Sequence, residues 1–433
     1  MTRRTDVLIV GASVSGLTTA EALRRNGFDG KITLLGAEPY LPYDRPPLSK
    51  QILSGAWRPE RTLLRPPRML ADLNLELLLG QPALGLDVAT RTVHTAVGPV
   101  RADTVVIATG ATPRRLPAPP GLRGVHVLRT LDDALALRDD LAKSWTVVVV
   151  GEGVLGAEIA ATTRQSGHEV TMTGLLHAPM ATQLGDLAAE RLADLHTANG
   201  VRLRLGVGVS GLADREGEPT GAPHRGEEAN LPGRGHEVTG LPDHGGEITG
   251  LSDRVGTVTG VCLASGETLP ADLVVVAIGA VPVTDWLAGS GLTLDRGVVC
   301  DAECRAAEGI YAVGDVARWR DPGTNATTRL ENRTHAAEQA GVVAANILGA
   351  ARPYRPIPYF WTDQYTTKIQ VHGTITPDAE AVVVDGDPAT DRFVIRYERA
   401  GSVTAVLGWN MPKQARMQRQ HLVDAHTTPV HAP

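Results

Sequence analysis

Two stretches of this 433-residue chain repeat one pattern, and that repetition restricts the fold more than any other feature. The first is DVLIVGASVSGLTTAEALRRNGFDGKITLLGAE, from Asp6. The second is TVVVVGEGVLGAEIAATTRQSGHEVTMTG, from Thr146. Each opens on a short apolar run, as expected of a parallel strand covered on both faces. A glycine-rich turn follows, then helical spacing, with Leu17, Ala20 and Leu23 on one face of the first copy. A second strand, Ile32 to Leu35, closes the unit. A lone glycine-rich match carries little weight. Two, each after a strand and opening a helix, predict an α/β fold with two Rossmann-like dinucleotide-binding domains.

In the first turn Gly11, Ser13 and Gly16 hold the three glycine positions. Gly11 permits the tight turn and Gly16 the close helix packing. Ser13 is small enough to let a pyrophosphate reach the helix N-terminus, where free N–H groups and the dipole favour anions. Glu38, past the second strand, is placed to accept hydrogen bonds from an adenosine ribose. The second turn keeps Gly151, Gly153 and Gly156 but its second strand ends on Gly174, where an acid is expected, and Leu175, Leu176 and His177 follow. Glu152 also puts a negative charge into the turn. These departures predict weak nicotinamide-nucleotide binding with little discrimination between NADH and NADPH, and Gly174→Glu is expected to tighten NADH.

Other landmarks order the rest. ADTVVIATGATPRRLP is a buried strand ending in Thr109-Gly110, and ADLVVVAIGAVPVTDWL is its partner after the second copy. GIYAVGDVARW sets a strand directly before Gly314-Asp315. A helix is predicted from Thr334 to Leu348. DRFVIRYERAGSVTAVLGWN predicts a hairpin closed near Ala400-Gly401, and a basic amphipathic segment, Pro412 to Asp424, follows. The first domain is then expected at residues 1–112 and 268–325, the second at 113–267, and a C-terminal α+β domain at 326–433. Residues 213–256 fit none of them. They are rich in Gly, Pro, Glu and His, and EVTGLPDHGG and EITGLSDRVG are near copies, which predicts a surface insertion made by duplication.

The formal charge of −6, mixed in sign, argues against nucleic acid as the main partner. No stretch is apolar for long enough to span a membrane. MTRRTDVLIVG leads straight into a strand with no export signal, so a cytoplasmic setting is expected. Cys262, Cys300 and Cys304 form no disulfide framework, and the last two are expected to flank a buried strand. A monomer and a homodimer are both compatible with this sequence.

The two turns, the ATG strand, YAVGDVA, LPYDRPPLSK, PYFWTDQY and LGWN together resemble the FAD-dependent ferredoxin reductases of the putidaredoxin reductase and Rieske dioxygenase reductase type. The resemblance covers nearly the whole chain outside 213–256. It implies one FAD, NADH or NADPH as co-substrate, and electron transfer to a ferredoxin-type iron–sulfur protein serving a P450 or other oxygenase. It also implies that residues 326–433 form an interface domain. Arg45 would lie near the FAD pyrophosphate and adenine, and Lys50 near the reactive edge of the flavin, paired with Glu158. Asp315 would bond the FAD ribitol or phosphate region, and Trp361 would stand near the flavin and the partner. No metal site or side-chain nucleophile is implied. PPLSKQ holds no cysteine where disulfide reductases carry a redox pair. Arg333 stands where a tryptophan is common in the family. Two competing readings are a repurposed member with altered nicotinamide use in a biosynthetic pathway, and a flavin-containing interaction or sensor protein.

Overall fold

A computed structural model of the chain describes residues 3–119, 121–214, 219–220, 256–321 and 325–427. The near-repeats at 237 and 247 lie outside the described residues.

The parallel core of the first sheet runs, in spatial order, Leu75–Leu78, Ile32–Leu35, Arg3–Val10, Val100–Ile107, Ile310–Ala312. Leu8, Ile9, Val105, Val106 and Ile107 have no exposed surface. This is why these strands appear in sequence as unbroken apolar runs instead of alternating. Arg3–Val10 pairs with the next strand on one side and with a much later one on the other. The strand order reverses there, and the crevice at such a reversal is where open α/β sheets bind ligands. The turn at Gly11 occupies it.

The second sheet repeats the plan: Arg202–Leu205, Glu169–Gly174, Thr146–Val150, Leu273–Val276, Val125–His126, all parallel. Leu273–Val276 lies beside Thr146–Val150, so the second sheet runs past residue 267. The chain crosses between the domains on a two-stranded ribbon, Ala111–Pro113 against Ala280–Pro282. The crossing therefore falls near 280, not at 267/268 as the sequence suggested. The apolar run Leu273–Val276 resembles either core equally, and only pairing assigns it.

The C-terminal sheet is antiparallel, in the order Tyr359–Gln364, Thr367–Gly373, Ser402–Trp409, Arg392–Arg399, Glu380–Asp387. Ala400 and Gly401 close its hairpin with φ of 48° and 77°. Two successive positive φ values match the right-handed twist of the flanking strands. The amphipathic tail forms two helices, Pro412–Gln418 and Gln420–Thr427. Among the described residues no helix is long and apolar enough to cross a membrane.

The Pro-rich loop belongs to the first domain in sequence but is packed elsewhere. Its Tyr43, Leu48 and Ile52 share one buried cluster with Val147, Ala157 and Ile159 of the second domain and with Ile369 and Trp409 of the C-terminal sheet. The loop is therefore clamped where three domains meet.

Candidate functional site

Each glycine turn is built by close backbone approach. Gly11 has φ +124°, and a Cβ there would overlap the Ala108 carbonyl. A Cβ on Gly16 would overlap the Gly11 carbonyl. Gly151, at φ +116°, meets the Ala277 carbonyl in the same way, and Gly156 meets Gly151. Only glycine satisfies these contacts. A Cβ on Gly153 would meet nothing within 4 Å, so the middle of the second turn faces open space. The helices that follow, Val14–Arg25 and Val154–Gln165, have no side-chain cap and no acid in their first turns. Ser13, at the N-cap position, leaves its hydroxyl out of the cap. By contrast, helix Leu131–Leu141 carries a full capping box from Thr130 and Asp133.

Further elements converge on the first turn. Gly314, at φ +78°, packs against Ser15 so closely that a Cβ would overlap its hydroxyl. Its N–H donates to Gln339 Oε1 of helix Arg333–Ile347 at 2.7 Å. Asp315 Oδ2 accepts from Arg129 Nη2 at 3.0 Å. Arg129 also lies 3.2 Å from where a Cβ on Gly110 would be. Thr109 Oγ1 donates to the Val283 carbonyl at 2.8 Å, tying the strand end to the returning chain. Arg45 donates to Glu38 Oε1 at 2.7 Å and to the Arg129 carbonyl at 2.5 Å. Tyr43 donates to Glu38 Oε2 at 2.5 Å. Burial, which outweighs the opposing Arg45 guanidinium, raises the Tyr43 pKa and keeps its hydroxyl a donor. Glu38, Arg45 and Asp315 thus share one network around the turn. Arg129 joins them, although nothing marks it in sequence beyond its place before Thr130.

At the domain junction Lys50 Nζ and Glu158 Oε2 form an ion pair at 2.7 Å, with side chains 14% and 7% exposed. Glu158 Oε2 also accepts from Ser49 at 2.6 Å, and Oε1 from Thr362 at 2.8 Å. The carboxylate is therefore held by donors from the Pro-rich loop and from the C-terminal sheet. Gln364 Nε2 backs Thr362 at 3.2 Å, and His196 Nε2 donates to Gln364 Oε1 at 2.7 Å. Burial lowers the His196 pKa to about 4, so the imidazole is neutral. Alternation along Tyr359–Gln364 sends Thr362 and Gln364 inward. Trp361 takes the opposite face, half-buried and stacked on Tyr359 with centroids 6.0 Å apart.

Arg333 is neither free in solvent nor unpaired. Its Nε donates to both oxygens of Asp44, at 2.7 and 2.8 Å, which ties the start of helix Arg333–Ile347 to the Pro-rich loop. Asn332 caps that helix through the His335 N–H at 2.8 Å.

The gap at the end of the second strand takes a different form from the one the sequence suggested. Gly174 has no side chain, but a Cβ there would overlap the carboxylate of Glu152. Glu152 is buried, and its Oε1 accepts from the Leu176 N–H at 2.7 Å. Its charge turns toward the strand end. Gly174→Glu alone would have to displace that carboxylate, so it does not test the ribose contact as the sequence implied.

All three cysteines are free and buried. Burial raises the Cys300 thiol well above its ordinary value and pushes Cys304 up to about 12. Neither supplies a thiolate nucleophile at neutral pH. Among the described residues no group of three or more His, Cys, Asp or Glu could hold a metal ion.

Two glycine turns that each open an uncapped helix, with a buried ion pair tying the Pro-rich loop to the second of those helices, are the arrangement of a two-nucleotide oxidoreductase. The pyridine nucleotide-disulphide oxidoreductase family model matches residues 5–231 and 241–341, and the Reductase C-terminal model matches 359–432, so the chain belongs to the pyridine nucleotide-disulphide oxidoreductase family. It is 33% identical to rhodocoxin reductase of Rhodococcus erythropolis over 96% of this chain and 89% of the relative. It is 35% identical to the ferredoxin reductase component of a chlorobenzene dioxygenase from Cupriavidus sp., over 93% of this chain and 89% of that one. Among solved structures, the covalent putidaredoxin reductase–putidaredoxin complex matches with a TM-score of 0.82 at 29% identity, covering 97% of this chain and 93% of that chain.

Proposed function

We propose that the chain draws electrons from NAD(P)H and, with FAD held at the first turn, passes them to a ferredoxin-type iron–sulfur protein that serves a P450 or other oxygenase. The observation that carries this reading is the buried Lys50–Glu158 pair, where the Pro-rich loop meets the helix of the second turn and the C-terminal sheet, with no cysteine in that loop. Thiol-based members of such a fold need a reactive sulfur there, and here a fixed ammonium stands instead.

The residues fit the cofactor. Gly11, Gly16 and Gly314 let the turn close tightly against Ala108 and Ser15. The first helix has no side-chain cap at Ser13 and no acid in its first turn, so its N–H groups are left for an anion. Arg45, Arg129 and Asp315 would hold the diphosphate and sugar, with Glu38 accepting from the ribose. Bound FAD supplies hydride acceptance from reduced nicotinamide and release of electrons one at a time. Lys50 would bring positive charge to the reduced flavin, while Glu158, Ser49 and Thr362 fix its position. Gly151, Gly153 and Gly156 would admit the nicotinamide nucleotide. The C-terminal sheet, with Trp361 half-buried on its surface, would face the iron–sulfur partner. A cytoplasmic setting suits this role, since NAD(P)H is consumed there.

The test is anaerobic stopped-flow with purified protein. The yellow holoprotein should bleach on mixing with NADH or NADPH and then reduce a [2Fe–2S] ferredoxin. Protein that takes up no FAD on reconstitution, or reduced flavin that no such ferredoxin reoxidises, would sink the proposal.

A further inference from the structure

We infer that Glu152 is the acid that reads the adenosine ribose at the second turn and makes the chain select NADH over NADPH. This rests on the proposed function, in which the second turn holds the nicotinamide nucleotide.

The two copies can be aligned by their own hydrogen bonds. Gly11 N–H donates to the Leu35 carbonyl at 2.7 Å, and Gly151 N–H to the Thr173 carbonyl at 2.8 Å. Gly174 then matches Gly36, Leu176 matches Glu38, and Glu152 matches Ala12. The match extends to packing: a Cβ on Gly36 would crowd the Ala12 methyl, as one on Gly174 would crowd the Glu152 carboxylate. In the first copy the acid is therefore two residues beyond the glycine. In the second copy both positions open to an acid, 174 and 176, are apolar. Glu152 reaches across from the turn and sets its carboxylate over the α-carbon of Gly174 and against the N–H of Leu176. The charge missing from the strand end is supplied from the neighbouring loop.

A purely structural role does not account for it. Capping one N–H occupies only one oxygen of the carboxylate. Glu152 forms no ion pair among the described residues, and its Oε2 accepts no hydrogen bond among them. A free carboxylate oxygen at that point suits a pair of ribose hydroxyls. The same charge repels a 2′-phosphate.

The test is equilibrium titration of the oxidised holoprotein with NAD⁺ and with NADP⁺, which reads binding without turnover. The wild type should bind NAD⁺ at least about tenfold more tightly. Glu152→Gln keeps an acceptor for the Leu176 N–H but removes the charge, so it should weaken NAD⁺, strengthen NADP⁺ and bring the ratio near one. Glu152→Ala gives the second turn the residue that the first carries, and should do the same. If both variants bind the nucleotides with an unchanged ratio, Glu152 does not read the ribose, and the proposed function stands. If the wild type binds neither nucleotide, both the inference and the proposed function fall.

Discussion

Glu158 takes three donors, two from the Pro-rich loop and one from the C-terminal sheet, so removing its cation should cost more than breaking an ordinary surface pair. At 2.7 Å and an effective dielectric near 20, attraction between the two charges is about 6 kcal/mol, and desolvation offsets a large part of it. Breaking such a buried pair from one side typically costs about 3–5 kcal/mol. Ser49 and Thr362 still solvate the carboxylate in Lys50→Met, which places that variant near the low end, about 3 kcal/mol. Glu158→Gln strands the ammonium and should cost a similar amount. The double variant leaves no unpaired charge, so it should be no less stable than either single variant. The assay is urea unfolding of the holoprotein, followed by recovery of free-flavin fluorescence. The cycle should give a coupling energy of about 2 kcal/mol or more. Single-variant costs that add to within about 0.5 kcal/mol would refute the idea that these residues stabilise each other.

Gly11→Ala should yield protein without flavin absorbance, because the new methyl meets the Ala108 carbonyl at a φ that favours glycine; normal FAD content would contradict the turn assignment. Burial holds His196, His335 and His372 at pKa values of about 4, below the ordinary 6.5, so the unfolded chain binds more protons between those values. Stability should therefore fall as pH drops from about 6.5 to 4, and a level unfolding midpoint over that window would count against their burial. Cys300→Ala and Cys304→Ala should leave the rate of flavin reduction by NADH unchanged, and a large loss in either would reopen thiol chemistry.

The turns were legible because their constraint is local: Gly11 and Gly151 sit within a few residues of the strands and helices that demand them. The Ala400-Gly401 hairpin was legible for the same reason. The partners of Glu158 were not. Thr362 lies 204 residues away, and a threonine inside an alternating strand carries no mark of what it faces. Arg129 meets Asp315 across 186 residues and depends on the fold alone. The domain crossing near 280 was misplaced because Leu273–Val276 is apolar enough for either sheet. Glu152 was visible as an anomaly, but which way its side chain turns is a matter of rotamer, set by the Leu176 N–H.

The clamped Pro-rich loop limits how such a chain can be recombined. The first domain contributes the ammonium, the second its counter-charge and the C-terminal sheet a further hydroxyl, so none of the three is a self-sufficient cassette. A chimera that grafts a foreign second domain between Pro113 and Ala280 would have to bring a carboxylate at the place of Glu158, or it would inherit a buried lysine with nothing to neutralise it. A change at Glu152 in place, by contrast, leaves the ammonium, its counter-charge and the Thr362 hydroxyl where they are.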